Sequence, residues 1–253
     1  MKIIFAGTGS GKASLTRENS SFLLGDDKSF ILIDCGEGIS KQLLQLDIPF
    51  DWIGAVVISH FHADHLAGLP GLITQMKLYG RKDDLQLFVP ANLENTLNVI
   101  LNSFFIFKEG LPFKLIINGI NEGETVSLAG GMQFRGVRNS HINNKYNVDY
   151  VPEENFLSYS FLFSAGDKNI FYTADVGGSS DLLLFDEKAD FIIAETTHIP
   201  HEKFLQMLVK YEPEKIILNH IDDENRTVNW LNSLDKKLKK YFTVAFDGMT
   251  LEI

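Results

Sequence analysis

Short apolar runs rich in β-branched residues recur along the chain, separated by polar or glycine-containing turns. Runs of this kind predict strands. The predicted strands cover residues 2–6, 20–24, 29–34, 54–58, 85–90, 114–117, 124–128, 132–137, 159–164, 169–173, 190–195, 215–219, 243–246 and 250–253. The intervening segments predict four helices. The first follows Gly38 and ends at residue 45, the second follows the segment 66–72 and ends near residue 80, and the others cover 92–102 and 226–241. The pattern is that of an α/β protein.

Length and composition narrow the class of protein to which the chain can belong. The chain has 253 residues, of which 45% are hydrophobic and 22% charged, as in a soluble globular protein. No apolar stretch approaches the roughly 20 residues of a membrane helix, and the first apolar run is too short for a signal peptide. The single cysteine, Cys35, excludes an internal disulfide, and these features together predict a cytoplasmic enzyme without membrane contact. The net charge of −10 argues mildly against a large nucleic-acid footprint, although two divalent cations would reduce it to about −6.

A dense group of metal-binding side chains follows the predicted strand 54–58. The segment reads His60-Phe61-His62-Ala63-Asp64-His65. In extended chain, His60 and His62 point to the same side and can bind one metal, whereas Asp64 and His65 lie where the chain turns into a helix and can bind a second. Imidazole nitrogen and carboxylate oxygen suit zinc, with manganese or iron as alternatives. The alternative is a set of exposed loop histidines.

Further candidate ligands follow other predicted strands. His141, Asp175 and His220 each lie at a strand end, and Glu195 and His198 follow the strand 190–195. Since open α/β sheets place their chemistry at the carboxyl ends of strands, we expect these residues at one edge. A carboxylate such as Asp175 can bridge two ions.

Three other segments have less specific interpretations. The glycine-rich stretch 7–13 departs from the P-loop pattern at Ala6 and Ala13 and from G-x-G-x-x-G at Lys12, so we interpret it as a tight turn with close backbone approach. Cys35 is interpreted as a small buried residue without a nucleophilic role. The aromatic run 104–107 is predicted to pack in the core, with an interface or a pocket wall as the alternative.

Two polar segments also leave alternatives open. The loop 142–155, with Asn143, Asn144, Tyr146 and Tyr150, is either an ordinary surface loop or a lid over the site. The predicted helix 226–241 carries four lysines, which form a solvated face or a weak RNA-contact patch. These are Lys236, Lys237, Lys239 and Lys240.

The histidine motif resembles the signature of the metallo-β-lactamase superfamily, and other stretches are similar to its ribonuclease Z and phosphodiesterase branch. These stretches are 5–11 with 17–21, 33–38 with Gln42, and 69–72. The resemblance implies a four-layer αββα metallo-β-lactamase sandwich in which residues 1–253 form a single hydrolase domain. It implies that one divalent metal ion is held by His60, His62 and His141, the other by Asp64, His65 and His220, with Asp175 bridging. It also implies that Asp64 orients a metal-bridging hydroxide, and the complete ligand set favours hydrolysis over redox chemistry.

The chain departs from the ribonuclease Z pattern at two places. The interval between His141 and Asp175 is too short for that family's tRNA-gripping arm, and Ala194-Glu195 stands where the family has His-Glu. We therefore interpret His198, oriented by Glu195, as a candidate proton donor, with His201 as a second candidate. For either histidine the alternative is a supporting role beside the ligands or a position on the surface. The first hypothesis is a binuclear phosphodiesterase acting on an anionic phosphodiester. One alternative is a tRNA 3′-processing endonuclease with a reduced arm, whose partner would be a nucleic acid. Another is a lactone, thioester or amide hydrolase, and the last is a non-enzymatic binding protein. A homodimer is the candidate assembly.

Overall fold

A computed structural model describes residues 1–145 and 147–253, and the chain folds as a mixed α/β protein. The strands are β1 Lys2–Gly7, β2 Ser21–Asp26, β3 Ser29–Ile33, β4 Ile53–Val57, β5 Leu85–Pro90, β6 Leu115–Ile120, β7 Thr125–Ser127, β8 Gln133–Arg138, β9 Tyr159–Ala165, β10 Lys168–Tyr172, β11 Phe191–Glu195, β12 Lys215–Asn219, β13 Phe242–Val244 and β14 Thr250–Glu252. The helices are α1 Ile39–Gln45, α2 Ala63–Leu66, α3 Leu69–Leu78, α4 Glu94–Ser103, α5 Leu205–Tyr211, α6 Glu224–Ser233 and α7 Lys236–Lys239. Every predicted strand is present, two of them with the predicted bounds and the others with ends shifted by at most three residues. Within the described ranges, no helix is long and apolar enough to cross a membrane.

The first of two compact units comprises Met1–Asn121 and Asp247–Ile253. Its seven-stranded sheet has the order β14-β1-β2-β3-β4-β5-β6. The pairs from β14 to β3 are antiparallel, and those from β3 to β6 are parallel. Because β3 and β4 are parallel neighbours, their carboxyl ends meet at one edge, where the histidine motif begins.

The second unit comprises Glu122–Phe246 and has its own seven-stranded sheet, in the order β13-β12-β11-β10-β9-β8-β7. Strands β10 to β13 are parallel, and β7 to β10 are antiparallel. Apolar residues of β10, β11 and β12 pack against α5 and α6, and the carboxyl ends of these strands carry the candidate ligands. The single-domain expectation for residues 1–253 stays a prediction.

The predicted core role of the run 104–107 is wrong for its three phenylalanines. Phe104, Phe105 and Phe107 are 62%, 83% and 48% exposed, whereas Ile106 is buried. The chain turns sharply after α4, with Phe105 at a φ of 58°, and the Ile106 N–H donates to the Leu101 carbonyl. Ile106 therefore folds back onto the helix while the aromatic rings face solvent.

The single helix predicted over 226–241 is also wrong. Leu234 is extended between α6 and α7, and the Asp235 carboxylate accepts hydrogen bonds from the backbone of Lys237 and Leu238. This N-cap begins a new helix. The four lysines of the predicted patch are exposed, as expected of a solvated face.

Two local interpretations are confirmed. A Cβ on Gly7 would lie 1.8 Å from the Asn19 carbonyl oxygen, so the backbone approaches closely at this turn. Cys35 is fully buried, and burial, with a smaller effect of the Asp34 charge, raises the pKa of its thiol well above the usual value.

The lid interpretation of the loop 142–155 stays a prediction, and Tyr146 lies outside the described residues. Asn143 and Tyr150 are exposed, and the Asn144 side chain bonds both backbone groups of Val148.

Candidate metal centre

The histidine motif of the first unit begins two residues after β4 and continues into α2. His62 is the residue that precedes α2, so Asp64 and His65 lie in its first turn, as the sequence predicted. The His60 ring centroid is 4.7 Å from that of His62 and 4.2 Å from that of His65, and His65 Nε2 lies 3.6 Å from Asp64 Oδ2. The four side chains thus form one compact donor cluster within this unit.

Hydrogen bonds that Asp34, at the end of β3, accepts fix the histidine tautomers. Asp34 Oδ2 lies 2.7 Å from His65 Nδ1 and accepts the Ser59 hydroxyl at 2.9 Å. The Ser59 hydroxyl lies 3.0 Å from His60 Nδ1, and since its proton goes to Asp34 it accepts from that nitrogen. Both neutral rings therefore carry the proton on Nδ1 and present the Nε2 lone pair, the form in which imidazole binds a metal.

The donors of the second unit converge on Asp175. Its Oδ1 lies 3.3 Å from His220 Nε2, and its Oδ2 lies 3.6 Å from His141 Nε2. The Thr197 hydroxyl donates to the His220 carbonyl at 2.7 Å and lies 3.2 Å from His220 Nδ1, so it accepts the Nδ1 proton. His220 Nε2 is then the unprotonated nitrogen. The two oxygens of one buried carboxylate thus each face a different histidine.

The backbone at the ends of these strands is unusual. Asp34, Ala174 and His220 all have positive φ, at 55°, 48° and 54°. None is glycine, so each conformation carries local strain, and such residues cluster at functional sites.

His198 lies beside the Asp175 cluster, at the end of β11. Its ring centroid is 4.7 Å from that of His141 and 5.8 Å from that of His220, and its side chain is 35% exposed. His198 Nδ1 lies 3.4 Å from Glu195 Oε2. The buried Glu195 carboxylate also accepts the backbone N–H of Thr197 and of His198, so it orders both the turn and the ring.

His201 lies outside this cluster. It is buried, its Nε2 lies 3.1 Å from the Thr227 hydroxyl, and its ring packs against Trp230 with centroids 5.3 Å apart. Burial, and then the nearby Arg226 charge, lower the pKa of His201. These contacts indicate a packing role for His201.

The donor chemistry of both units fits divalent metal ions. Neutral imidazoles held by hydrogen bonds at Nδ1, together with carboxylate oxygens, are the ligands that such ions prefer. In the second unit alone, Glu195, His198 and His220 each offer an atom, and these atoms lie within 4.8 Å of one another. The chain therefore carries a divalent metal-binding donor set.

Comparison with known proteins identifies the family. The model for the anti-Pycsar protein Apyc1 family matches residues 1–240. The chain belongs to the Apyc1 family. It is a member of the metallo-β-lactamase superfamily, in the ribonuclease Z-like branch that the sequence motifs indicated.

Curated relatives of this Apyc1 family member are ribonuclease Z proteins. That of Prochlorococcus marinus (strain AS9601) is 39% identical over 171 residues, 66% of this chain and 51% of the relative. That of Methanococcus aeolicus is 34% identical over 128 residues, 51% of this chain and 39% of the relative. The matched part spans about half of the length of the first relative and about two fifths of the second.

Solved structures show the fold. Human tRNase Z, short form, has a TM-score of 0.76 at 20% identity, and the match covers 100% of this chain and 99% of the human chain. A diphosphatase of the PhnP family has a TM-score of 0.72 at 18% identity, and the match covers 100% of this chain and 97% of the diphosphatase. Zn²⁺-bound PqqB from Methylobacterium extorquens has a TM-score of 0.71 at 15% identity, covering 100% of both chains. The Apyc1 family member thus has the αββα metallo-β-lactamase fold that its sequence predicted.

Sequence reasoning missed two carboxylates that hold the candidate ligands in place. Asp34 bonds His65 and Ser59, and Asp181 bonds the backbone next to His141 and Asp175. The location of Asp34 at the end of the predicted strand 29–34 was an available signal, because the candidate ligands also lie at strand ends. Asp181 gave no such signal, because it lies in a short 3₁₀ turn, Ser179–Leu183, outside any motif.

Proposed function

We propose that the chain is a binuclear metal-dependent phosphodiesterase, in which two bound divalent ions would supply the attacking hydroxide. In this proposal His60, His62 and His141 hold one ion and Asp64, His65 and His220 hold the other, with Asp175 bridging. Membership of the family and the donor geometry within each unit support this assignment. The observation that carries it is the Asp175 carboxylate, whose two oxygens face different histidines at 3.3 and 3.6 Å.

Bound as a pair, divalent ions supply a hydroxide at neutral pH and stabilise charge on both the attacking and the leaving oxygen. The residues of the chain prepare the site for this chemistry. Asp34, Ser59 and Thr197 keep their histidine partners in the tautomer that leaves Nε2 unprotonated. In this proposal Asp64 accepts a hydrogen bond from the nucleophile and orients it. Zinc is the first candidate, with manganese or iron as alternatives.

The departing oxygen of an alkyl phosphodiester needs a proton, and we assign its donor as His198. Glu195, 3.4 Å from His198 Nδ1, orients the ring and stabilises its protonated form. A cleft of about 480 Å³ is lined by His198, Ile199, Arg226 and Trp230 among others. In this proposal the leaving group departs into that cleft.

The short interval between His141 and Asp175 favours a small or unstructured phosphodiester. Its described residues form a loop and the β9–β10 hairpin, with one 3₁₀ turn at Glu153–Asn155. The net charge of −10 gives little long-range attraction for RNA. A tRNA 3′-processing endonuclease is the alternative that the ribonuclease Z relatives favour, and a lactone, thioester or amide hydrolase is a third. A homodimer and a cytoplasmic location stay predictions.

A substrate panel tests the proposal. The full chain, loaded with zinc or manganese, is assayed on bis-p-nitrophenyl phosphate, cyclic nucleotides, a precursor tRNA and a lactone. We expect hydrolysis of the small phosphodiesters, its loss on chelation, and its loss in Asp175→Asn. Asp190→Asn is the matched control, because Asp190 is a carboxylate of the second unit outside the proposed ligand set, and it accepts the backbone N–H of Asn169.

The outcomes separate the hypotheses. Efficient 3′ cleavage of precursor tRNA with steep salt dependence would favour the endonuclease, and turnover of the lactone alone would favour the third class. Activity that survives both chelation and Asp175→Asn would contradict the metal-dependent mechanism.

A further inference from the structure

Asp181 is a buried carboxylate that joins the two segments carrying His141 and Asp175. It lies in the 3₁₀ turn Ser179–Leu183 and is only 4% exposed. Asp181 is not one of the proposed metal ligands. A buried carboxylate is costly unless it is well bonded, so its contacts indicate what it stabilises.

One oxygen of Asp181 accepts hydrogen bonds from both segments. Oδ2 lies 3.1 Å from the backbone nitrogen of Ser140 and 2.7 Å from the Ser140 hydroxyl. The same oxygen lies 2.9 Å from the backbone nitrogen of Gly177 and 3.3 Å from that of Gly178. Ser140 directly precedes His141, and Gly177 is two residues after Asp175. The single oxygen therefore ties together the backbones that carry two candidate ligands of one metal ion.

Close packing reinforces this tie. A Cβ on Gly177 would lie 2.3 Å from the Ser140 carbonyl oxygen, so the two backbones meet without room for a side chain. Asn139, on the other side of Ser140, accepts the His141 N–H and donates to the Ser160 hydroxyl. His141 is thus held by its own strand and, through Ser140, by Asp181.

We propose that Asp181 is a positioning residue that holds His141 against Asp175 and thereby sets the affinity and coordination geometry of the metal ion they share. The proposal rests on the ligand assignment given above. Two of the four bonds would serve equally well to cap the 3₁₀ turn. The two bonds to Ser140 distinguish positioning from capping, because they cross to a segment 41 residues away.

Asparagine is the most informative replacement for Asp181. It keeps the size of the side chain but removes the charge and gives one of the two terminal atoms donor hydrogens. The charge-assisted bonds to Ser140 weaken, and the His141 segment gains freedom. Loss of an outer hydrogen-bond partner of a metal ligand lowers metal affinity by about 10- to 100-fold in such sites.

The experiment measures metal binding rather than turnover. Metal-free full-length wild type, Asp181→Asn and the control Asp190→Asn are titrated with zinc in competition with a chromophoric chelator. The visible absorption of the cobalt-loaded proteins then reports coordination geometry. We expect Asp181→Asn to lower the affinity for one of two ions by about 10- to 100-fold and to change the cobalt spectrum, and Asp190→Asn to do neither.

A second variant covers the case in which Asp181→Asn does not fold. Ser140→Ala removes only the hydroxyl bond and leaves the cap of the 3₁₀ turn intact, and we expect a smaller affinity loss for the same ion. Unchanged affinity and an unchanged cobalt spectrum in Ser140→Ala, or equal losses in Asp181→Asn and Asp190→Asn, would overturn the positioning role. If the wild type itself binds no metal, the proposed function fails first, and the two failures are thereby distinguished.

Discussion

Asp34 Oδ2 lies 2.7 Å from His65 Nδ1, and both side chains are completely buried. The carboxylate can only accept at this contact when ionised, so it holds the ring proton on Nδ1 and leaves Nε2 for a metal. The same carboxylate also bonds both the backbone and the hydroxyl of Ser59, at 2.7 and 2.9 Å. One buried carboxylate therefore sets the orientation of the histidine motif in the first unit.

Replacing this carboxylate should weaken metal binding without removing a ligand. In Asp34→Asn the amide can donate to His65 Nδ1 and stabilise the tautomer protonated on Nε2, which cannot bind a metal through Nε2. We expect the affinity for one ion to fall about 10- to 100-fold, measured by zinc competition with a chelator. The control Asp26→Asn alters an exposed carboxylate at the end of β2 and should bind as wild type does. Equal affinity in both variants would contradict the role of Asp34.

His198→Ala should slow hydrolysis according to the leaving group. If His198 donates the proton, turnover of a phosphodiester with an alkyl leaving group should fall about 10²–10⁴-fold. The loss should be much smaller for a nitrophenyl leaving group, which departs without protonation. Metal content, determined by elemental analysis, should not change. An equal loss on both substrates, or a loss of metal, would assign His198 to structure or coordination.

His201 should make the stability of the protein sensitive to mild acid. Its pKa in the folded chain is lowered by burial, so the folded state favours the neutral ring. The associated stability is complete above the unfolded pKa of about 6.5 and is lost as the pH falls below it toward the folded value. The thermal midpoint of the metal-free protein should therefore decrease when the pH is lowered from 7.5 to 5.5. This decrease should be smaller in His201→Gln than in wild type. A drop of equal size in both proteins would show that other groups account for it.

Cys35 should resist thiol reagents in the folded protein. Its side chain is fully buried, and burial raises the pKa of the thiol, so both access and the thiolate form are disfavoured. We expect labelling by a chromogenic disulfide to be slower by at least about 10³-fold than in denaturant, since it requires opening of the fold. Rapid labelling of native protein would contradict this burial.

Gly7→Ala should destabilise the fold by overpacking. The added methyl group would lie 1.8 Å from the Asn19 carbonyl oxygen, so the backbone of one segment must move. We expect the free energy of unfolding to fall by about 3 kcal/mol in urea denaturation. Gly54→Ala is the matched control, because a Cβ there meets no atom within 4 Å. Similar effects of the two substitutions would argue against close approach at Gly7.

The sequence by itself determined the strands and the main ligand group. The run 54–58 is short, β-branched and bounded by turns, so its propensity and its tertiary role agree, and it coincides with β4, Ile53–Val57, to within one residue at each end. The ligands of the His60–His65 motif are close in sequence and were visible as a local pattern. The break between α6 and α7 also has a local sequence signal, because Asp235 is an N-cap residue. The prediction of one helix over 226–241 overlooked this signal.

Only the tertiary structure decided which distant residues hold the ligands and which aromatic residues are exposed. Asp34 and His65 are 31 residues apart, and Asp181 and Ser140 are 41 apart, so their hydrogen bonds depend on strand order and loop paths. The run 104–107 is apolar at every position and has no periodicity that distinguishes Ile106 from its neighbours. Burial there depends on how the chain turns after α4, with Phe105 at positive φ, and hydrophobicity alone does not encode that turn.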